Sequence, residues 1–339
     1  MPKIMNAKVS VIIPCYNAGL YVENAVLSIM NQTYSNLQII CIDDGSTDNT
    51  YKILNKLATQ DKRIFIVRNS TNLKLIKTLN LGIELSDGDF IARMDSDDIS
   101  SKDRIEIQLK YLKKNDLDIC GTFTTYYFEN RVKKISKRLH IVSQPKSLEL
   151  YSLFDTPLIH PSVLGKSTIF KKFKYNYSEE SYLIEDYELW CRMIVSGVKI
   201  GVVPEYLFQY RINIQGESQT KKVIQVINHL SLSQKMIQKI TCLVIPKDSV
   251  SLISGFDIKQ GIKWFTIKNC ISDLYKVFNC FITTNTLTLQ ELKELKRWVK
   301  YKEIYVLAQG VKKGCFKTRL ISALFLSVRL HHLLMCYFA

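Results

Sequence analysis

Asp95, Asp97 and Asp98 follow directly on the apolar run Phe90-Ile91-Ala92-Arg93-Met94. Carboxylates one residue apart at the end of a buried strand can hold a divalent ion against a diphosphate, because Mg²⁺ and Mn²⁺ take hard oxygen ligands and share phosphate oxygens. The competing reading is a solvated acidic turn in which Asp98 caps the next helix. A second acidic pair, Glu185-Asp186, opens an amphipathic pattern that carries Leu189, Met193 and Ile194 on one face and stops at Gly197. Acids at a helix start gain about 0.3–1 kcal/mol from its positive end. Facing a cleft, one of them could instead take a proton as a general base. His160, in His160-Pro161-Ser162, is a further titratable candidate, although a histidine before proline also serves purely structural ends.

Such groups act only if the fold brings them together. Lys8 to Pro14, Leu37 to Ile42, Arg63 to Val67 and Asp89 to Met94 are short runs rich in Ile, Val and Phe, and they predict strands. Between them Tyr21 to Met30, Thr50 to Leu57 and Leu73 to Leu85 repeat apolar residues at helical spacing. A helix over Lys102 to Lys114 and a strand near Leu117 to Phe123 follow. Strand and helix alternating at this pitch predict a doubly wound α/β fold with a mostly parallel sheet, whose ligands collect beyond the carboxyl ends of the strands. Three polar loops sit there: Pro14-Cys15-Tyr16-Asn17, Asp43-Asp44-Gly45-Ser46-Thr47-Asp48, and the Asp95 cluster. Gly45 permits a tight turn, and Ser46, Thr47 or Asp48 can cap the following helix. Of Asp43 and Asp44, one can be held by the turn while the other accepts a hydrogen bond from a base or ribose, and Tyr16 offers a flat surface for a base. With no glycine-rich phosphate loop in the chain, nucleotide phosphates would be held by a metal.

The 339 residues, 47% of them apolar, suffice for a large core or two domains. The nine cysteines form no CxxC pair and no zinc-like spacing, which argues against a disulfide framework and for a reducing compartment. The N-terminus, Met1 to Ala7, lacks the apolar core of a signal peptide. Charge is uneven: residues 220–339 hold 19 of the 47 Lys and Arg but 6 of the 31 Asp and Glu. A nearly neutral front part, 1–219, would carry the chemistry, and a basic, mainly helical rear part, 220–339, would face an anionic partner. A phospholipid surface, nucleic acid, or merely a solvated basic surface are the readings open to it, with nucleic acid supported by charge alone.

Five stretches in order, VSVIIPCYN (9–17), DDGSTD (43–48), IARMDSDDI (91–99), HPS (160–162) and EDYELWCR (185–192), resemble the family 2 inverting glycosyltransferases of bacterial surface-polysaccharide assembly. The resemblance covers about residues 8–215. It implies the GT-A fold, a nucleotide-sugar donor that is usually a UDP-sugar, and Mn²⁺ or Mg²⁺. By match to the family pattern, Pro14, Tyr16, Asn17 and Asp44 would hold base and ribose, with Asp43 beside them. Asp95 and Asp97 would form the DxD pair, Asp97 as the direct metal ligand. Asp186, with Glu185 before it, would be the base in a single displacement onto an acceptor hydroxyl. Arg93, Lys77 and Arg211 are cations able to reach the diphosphate. Two departures are visible. Where relatives commonly read Asn-x-Gly, this chain has Asn72-Leu73-Lys74, and after HPS it turns small, with Gly165, Lys166 and Ser167, as in an unusual acceptor-side loop.

The expectation from all this is a glycosyltransferase that is peripheral on the cytoplasmic face of the plasma membrane. It would add one sugar to a lipid-linked oligosaccharide of a capsule or lipopolysaccharide repeat. A nucleotide-binding scaffold without turnover needs the same base-binding loops but not Asp186. The last stretch, Leu320 to Ala339, is apolar but broken by Arg329, His331 and His332, a poor transmembrane span. Ser322, Arg329 and His332 fall near one helical stripe, so it could lie in a membrane interface, or else pack on the catalytic domain or a partner subunit.

Overall fold

The computed structural model describes residues 6–127, 136–137, 142–213, 221–256 and 263–312. The stretch Leu320 to Ala339, and with it Ser322, Arg329 and His332, lies outside the described residues. The chain divides into two compact units, Met1–Arg138 with Leu158–Thr220, and Leu139–Pro157 with Lys221–Ala339.

The first unit alternates as expected through β1 (Val9–Cys15), α1 (Val22–Met30), β2 (Leu37–Asp43), α2 (Thr50–Gln60), β3 (Ile64–Arg68), α3 (Leu75–Leu85) and β4 (Phe90–Arg93). It continues through β5 (Ile99–Ser100), α4 (Arg104–Lys114), β6 (Ile119–Tyr127) and β7 (Ser136–Lys137). After α5 (Pro145–Tyr151), which belongs to the second unit, come β8 (Leu164–Lys166), α6 (Ser167–Phe173), α7 (Glu185–Val195) and β9 (Ile200–Arg211). The strands form one sheet in the order β3-β2-β1-β4-β8-β6-β9-β5, with β7 paired to β6. β1, β2, β3 and β4 run parallel, as do β6 and β9. The antiparallel joints at β8, β5 and β7 span only two or three residues each. β1 and β2 read as nearly continuous Val, Ile and Cys because helices cover both faces, and both strands are buried along their length.

Of the residues after the HPS stretch, Gly165 and Lys166 are strand rather than loop, and Ser167 opens α6. β8 threads between β4 and β6, and a side chain at Gly165 would sit 2.6 Å from Ile119 Cγ1, so only glycine lets the strands close there.

Pro14 explains where the sheet opens. The Ile12 carbonyl accepts the Met94 N–H, so even-numbered residues of β1 turn toward β4, and pairing with β4 ends at Ile12. The donor that Pro14 lacks therefore faces a place where β4 has already left the ladder. The chain order also reverses between β1 and β4, and at such a switch point the strand-following loops diverge into a crevice.

The second unit is helical: α5, α8 (Lys222–Thr241), α9 (Lys247–Ser254), α10 (Trp264–Thr284) and α11 (Leu289–Lys312). Its core centres on Trp298, whose ring lies 5.9 Å from Tyr151 and 5.7 Å from Phe154. Glu291 and Glu294 of α11 reach the start of α5. Glu291 accepts the Lys146 N–H at 3.0 Å, and Glu294 accepts those of Ser143 and Gln144 at 2.9 and 3.2 Å. Carboxylates on exposed helix-start donors hold α5 in this unit although it lies some 140 residues upstream. No helix among the described residues is long and apolar enough to cross a membrane.

Candidate active site

The loops after β1 and β2 are tied to each other before any ligand arrives. The Asn17 N–H donates to Ser46 Oγ at 3.0 Å, and Asn17 Oδ1 accepts the Thr47 N–H at 3.0 Å. Asp48 accepts from the Thr50 N–H and hydroxyl at the start of α2 and from the Gly19 N–H, while the capping position itself falls on Asn49, beyond the three residues expected for it, and has no side-chain cap bond. Asp44 is fully engaged: Asn69 Nδ2 and the Leu73 N–H donate to Oδ1 at 2.7 and 2.8 Å, and the Lys74 N–H to Oδ2 at 3.0 Å. Asp43 is buried. Its Oδ1 accepts the Ser46 N–H, while Oδ2 has Arg68 Nε at 3.1 Å without the alignment of a hydrogen bond, so that acceptor stays unfilled. Asp44 thus organises the loop, and Asp43 keeps a buried lone pair at its base. Tyr16 stands 49% exposed beside them, able to stack on a ring.

The Asp95 cluster is not a helix cap, and it is only partly solvated, with Asp95 and Asp97 half-buried. Asp103, not Asp98, stands at the start of α4, and Asp98 is 1% exposed. Arg93 Nη2 donates to Asp95 at 2.5 Å. Arg211, the last residue of β9, clamps Asp97 through Nε and Nη2 at 3.1 and 2.6 Å, and its backbone N–H donates to Asp98 at 2.8 Å. Tyr127 donates to the Asp97 carbonyl. Beneath them Arg104, wholly buried, donates to the carbonyls of Arg93 and Pro161 and lies 5.2 Å from the Phe208 ring. Three carboxylates therefore face three guanidiniums. Burial raises the pKa of Asp98 well above its ordinary value, the charges of Asp95 and Asp97 push the same way, and the Arg211 N–H and Arg93 oppose them. Burial also lowers Arg104 to about 9, with Asp98 the main opposing influence.

Asp95, Asp97 and Asp98 can each offer one oxygen within 4.8 Å of the others. Asp98 Oδ2 is buried with no hydrogen-bond partner, and Arg93 Nε and Nη1 and Arg104 Nε and Nη2 are likewise unfilled. A hard cation would satisfy the orphaned oxygen, so these residues fit a divalent ion.

Glu185 and Asp186 are the first two residues of α7, both half-buried, and Asp186 Oδ1 accepts the Tyr187 N–H at 2.8 Å. What joins them to the first cluster is Tyr175. Burial pushes its phenol well above the ordinary range; Arg93 opposes this, while Asp186, Glu185 and Asp95 add to it, so one hydroxyl feels both acidic groups. That hydroxyl lies 2.7 Å from His160 Nε2, and the His160 ring meets the edge of Trp190. Burial, and after it the charge on Arg93, hold the His160 pKa well below the usual histidine value, which disfavours the imidazolium there. Lys77 is exposed on α3 and joins none of these pairs. Tyr175, Arg104 and Arg68 escape a reading of motifs because nothing in their local sequence marks them; a tyrosine and two arginines acquire meaning only from neighbours that folding supplies.

Comparison with known proteins adds an independent finding. The profile of Glycosyl transferase family 2 matches residues 10–176. An uncharacterized glycosyltransferase of Haemophilus influenzae is 28% identical over 326 residues, 90% of this chain and 94% of its own length. One from Methanocaldococcus jannaschii is 32% identical over 208 residues, 60% of this chain and 70% of its own. Among solved structures, residues 1–349 of Staphylococcus aureus TarS in complex with UDP-GlcNAc align with a TM-score of 0.57 at 16% identity, covering 91% of this chain and 93% of that one. At so low an identity the structural likeness speaks for the fold.

Proposed function

The chain belongs to glycosyl transferase family 2 and is a glycosyltransferase of the GT-A fold, and we propose that it moves one sugar from a UDP-sugar to a hydroxyl of a lipid-linked oligosaccharide, with inversion, and that Asp186 is the general base. The observation that carries this reading is the gathering of Asp95, Asp97 and Asp98, each with an oxygen within 4.8 Å of the others, past the carboxyl end of β4, and the influence of both Asp186 and Asp95 on the Tyr175 hydroxyl agrees with it. In that arrangement a base on α7 serves a donor held at the ends of β1, β2 and β4. The UDP-GlcNAc of the TarS complex supports a UDP-sugar as donor. The motif resemblance supports surface-polysaccharide assembly at the cytoplasmic face of the plasma membrane.

Tyr16 stacks on the base, Asn17 borders it, and Asp43 accepts from base or ribose through its unfilled oxygen. Asp95 and Asp97, with Asp98 behind them, are the residues that would hold Mn²⁺ or Mg²⁺. Such an ion, when bound, neutralises charge growing on the departing diphosphate. Arg93 and Arg211 pair with Asp95 and Asp97 beforehand, so this part of the cluster carries no net excess of negative charge. A divalent ion alone would leave it positive, and diphosphate restores the balance. Metal and nucleotide are therefore expected to bind together rather than separately. Asp186 takes the proton from the acceptor hydroxyl, and that oxygen attacks the anomeric carbon from the face opposite the diphosphate. An α-linked donor then yields a β-linkage.

Asp186→Asn keeps the shape and the Tyr187 hydrogen bond but not the basicity. It should lower kcat by about 10³-fold while UDP binding, followed by calorimetry with Mn²⁺ present, stays as in the wild type. Asp97→Ala should instead lose the metal-dependent part of UDP binding. Sugar transfer by Asp186→Asn at the wild-type rate would remove the base assignment.

A further inference from the structure

The second unit leaves apolar side chains in water at one end. Helices α8 and α10 are packed together, and Cys280, near the end of α10, donates to the carbonyl of Thr241, the last residue of α8. α9 runs back from there, and Phe256, just past it, lies 4.8 Å ring to ring from His229, twelve residues before Thr241. α8 and α10 therefore run side by side in the same direction, with their first turns at one end. That end carries Val223, Ile224 and Ile227 of α8, all exposed, and Trp264 and Phe265 of α10, 47% and 68% exposed. Around them stand Lys221, Lys222, Lys263 and Lys268, all exposed. No Asp or Glu occurs from Lys221 to Thr241, nor from Lys263 to Ser272.

We infer that this end of the helical unit docks on an anionic phospholipid bilayer, Trp264 and Phe265 entering the headgroup boundary with the aliphatic turn of α8 while the four lysines meet lipid phosphates. Adjacent aromatics suit that depth, since their rings are apolar and the indole N–H can stay wet. A surface ringed by lysines and free of acids for a whole turn of each helix has the charge complementary to such a membrane. Docking there would bring the enzyme to an acceptor that is itself lipid-linked. The inference deepens the proposed function by naming the surface, and its test uses neither donor nor acceptor, so either can fail while the other stands.

Trp264 is its own reporter. The other two tryptophans, Trp190 and Trp298, are 0% and 1% exposed, so a change in emission on adding lipid comes from Trp264. The full-length chain should bind vesicles of phosphatidylcholine with about one third phosphatidylglycerol, with a saturable blue shift, and bind pure phosphatidylcholine far more weakly. The double variant Trp264→Ser, Phe265→Ser should bind the anionic vesicles at least about tenfold more weakly, with circular dichroism and melting temperature unchanged because both side chains are exposed. Each of Lys222→Gln, Lys263→Gln and Lys268→Gln should cost about fivefold on anionic vesicles and little on neutral ones. Absence of wild-type binding would overturn the inference. So would binding with emission unmoved and the double variant undiminished, which would put the contact elsewhere in the chain. Self-association by light scattering, dissolved by the double variant and unaccompanied by vesicle binding, would assign the surface to a second copy and overturn it as well.

Discussion

The two units treat their buried polar groups in opposite ways. In the helical unit they are consumed by structure: Glu291 closes a reciprocal cap with Thr288 and also meets α5, Glu294 takes two backbone donors, Asp273 holds Ser249 and Lys276, and the Ser233 hydroxyl donates to the Leu153 carbonyl. Among the described residues of that unit, only Ser254 and Trp298 have a buried side-chain atom without a partner. Among the described residues of the sheet unit, six of the ten unfilled atoms lie below the crevice, on Asp43, Arg93, Asp98 and Arg104, and the other four are on Thr78, Gln108, Thr122 and Trp190. An unpartnered buried polar atom costs about 1–3 kcal/mol, so the gathering of those six in one place is what a site awaiting a ligand looks like. The helical unit instead keeps its unfinished surface apolar and outside.

Removing one carboxylate from each unit should separate the two most sharply. Asp98→Ala deletes the acceptor of the Arg211 N–H and the group that most offsets the burial of Arg104, at a cost of about 3–5 kcal/mol by urea unfolding, together with loss of sugar transfer. Glu294→Ala uncaps α5 and should cost only about 1–2 kcal/mol, with transfer to a soluble acceptor untouched. If Glu294→Ala abolished transfer while Asp98→Ala left it intact, the division of labour drawn here would be reversed.

Each unit also buries a histidine, and the difference in their surroundings predicts a smaller contrast. Burial lowers the pKa of His229, but Asp155 and the Phe154 carbonyl partly offset it; His160 has Arg93 nearby, which adds to the effect of burial. In both the imidazolium is disfavoured in the folded protein. Unfolded histidine titrates near 6.5, so below that pH the unfolded chain binds protons that the folded chain refuses, and stability falls with falling pH until the folded pKa is passed, by at most about 1.4 kcal/mol per pH unit per histidine. His160→Gln should therefore shrink the difference in urea midpoint between pH 7.5 and 5.5 more than His229→Gln does. Equal slopes would mean that Arg93 has no hold on His160.

The contrast also marks what a sequence discloses. Strands β1 to β4 were legible to within a residue because short β-branched runs bounded by polar loops have few other uses, and Asp95 and Asp97 stood out because acids behind such a run do not pack. α2 runs on to Gln60, beyond the predicted Leu57, since Ala58, Thr59 and Gln60 continue a helix without an apolar stripe to announce it. β5 and β8, two and three residues long, carry no periodicity at all. Arg104 reads as the first turn of a polar helix, yet it is fully buried; only the carbonyls of Arg93 and Pro161 and the charge of Asp98 make it part of the site. Nothing near Pro145 foretells that α5 belongs with helices beginning only at Lys222, because the glutamates that fix it lie in α11.

The smallest expected effect tests a single backbone angle. Lys74 stands where the family resemblance leads one to expect glycine, and its φ of 72° with ψ of 162° lies in a region that side chains other than glycine's absent one avoid. The conformation is kept because it points the Lys74 N–H at both Asp44 Oδ2, 3.0 Å away, and Asn72 Oδ1, 2.9 Å away, which ties this loop to the one that carries Asp43 and Asp44. Glycine adopts these angles without strain, recovering about 1–3 kcal/mol, and gives back about 1 kcal/mol through the greater freedom of its unfolded chain. Lys74→Gly should therefore stabilise the protein by about 1 kcal/mol, read as a raised urea midpoint at unchanged slope. Since the exposed lysine charge goes with it, UDP affinity measured at low and high salt tells the two contributions apart. A stabilised variant whose UDP affinity has lost part of its salt dependence would mean that this chain accepts backbone strain in exchange for a cation at the donor loop; unchanged affinity would leave the strain with no return.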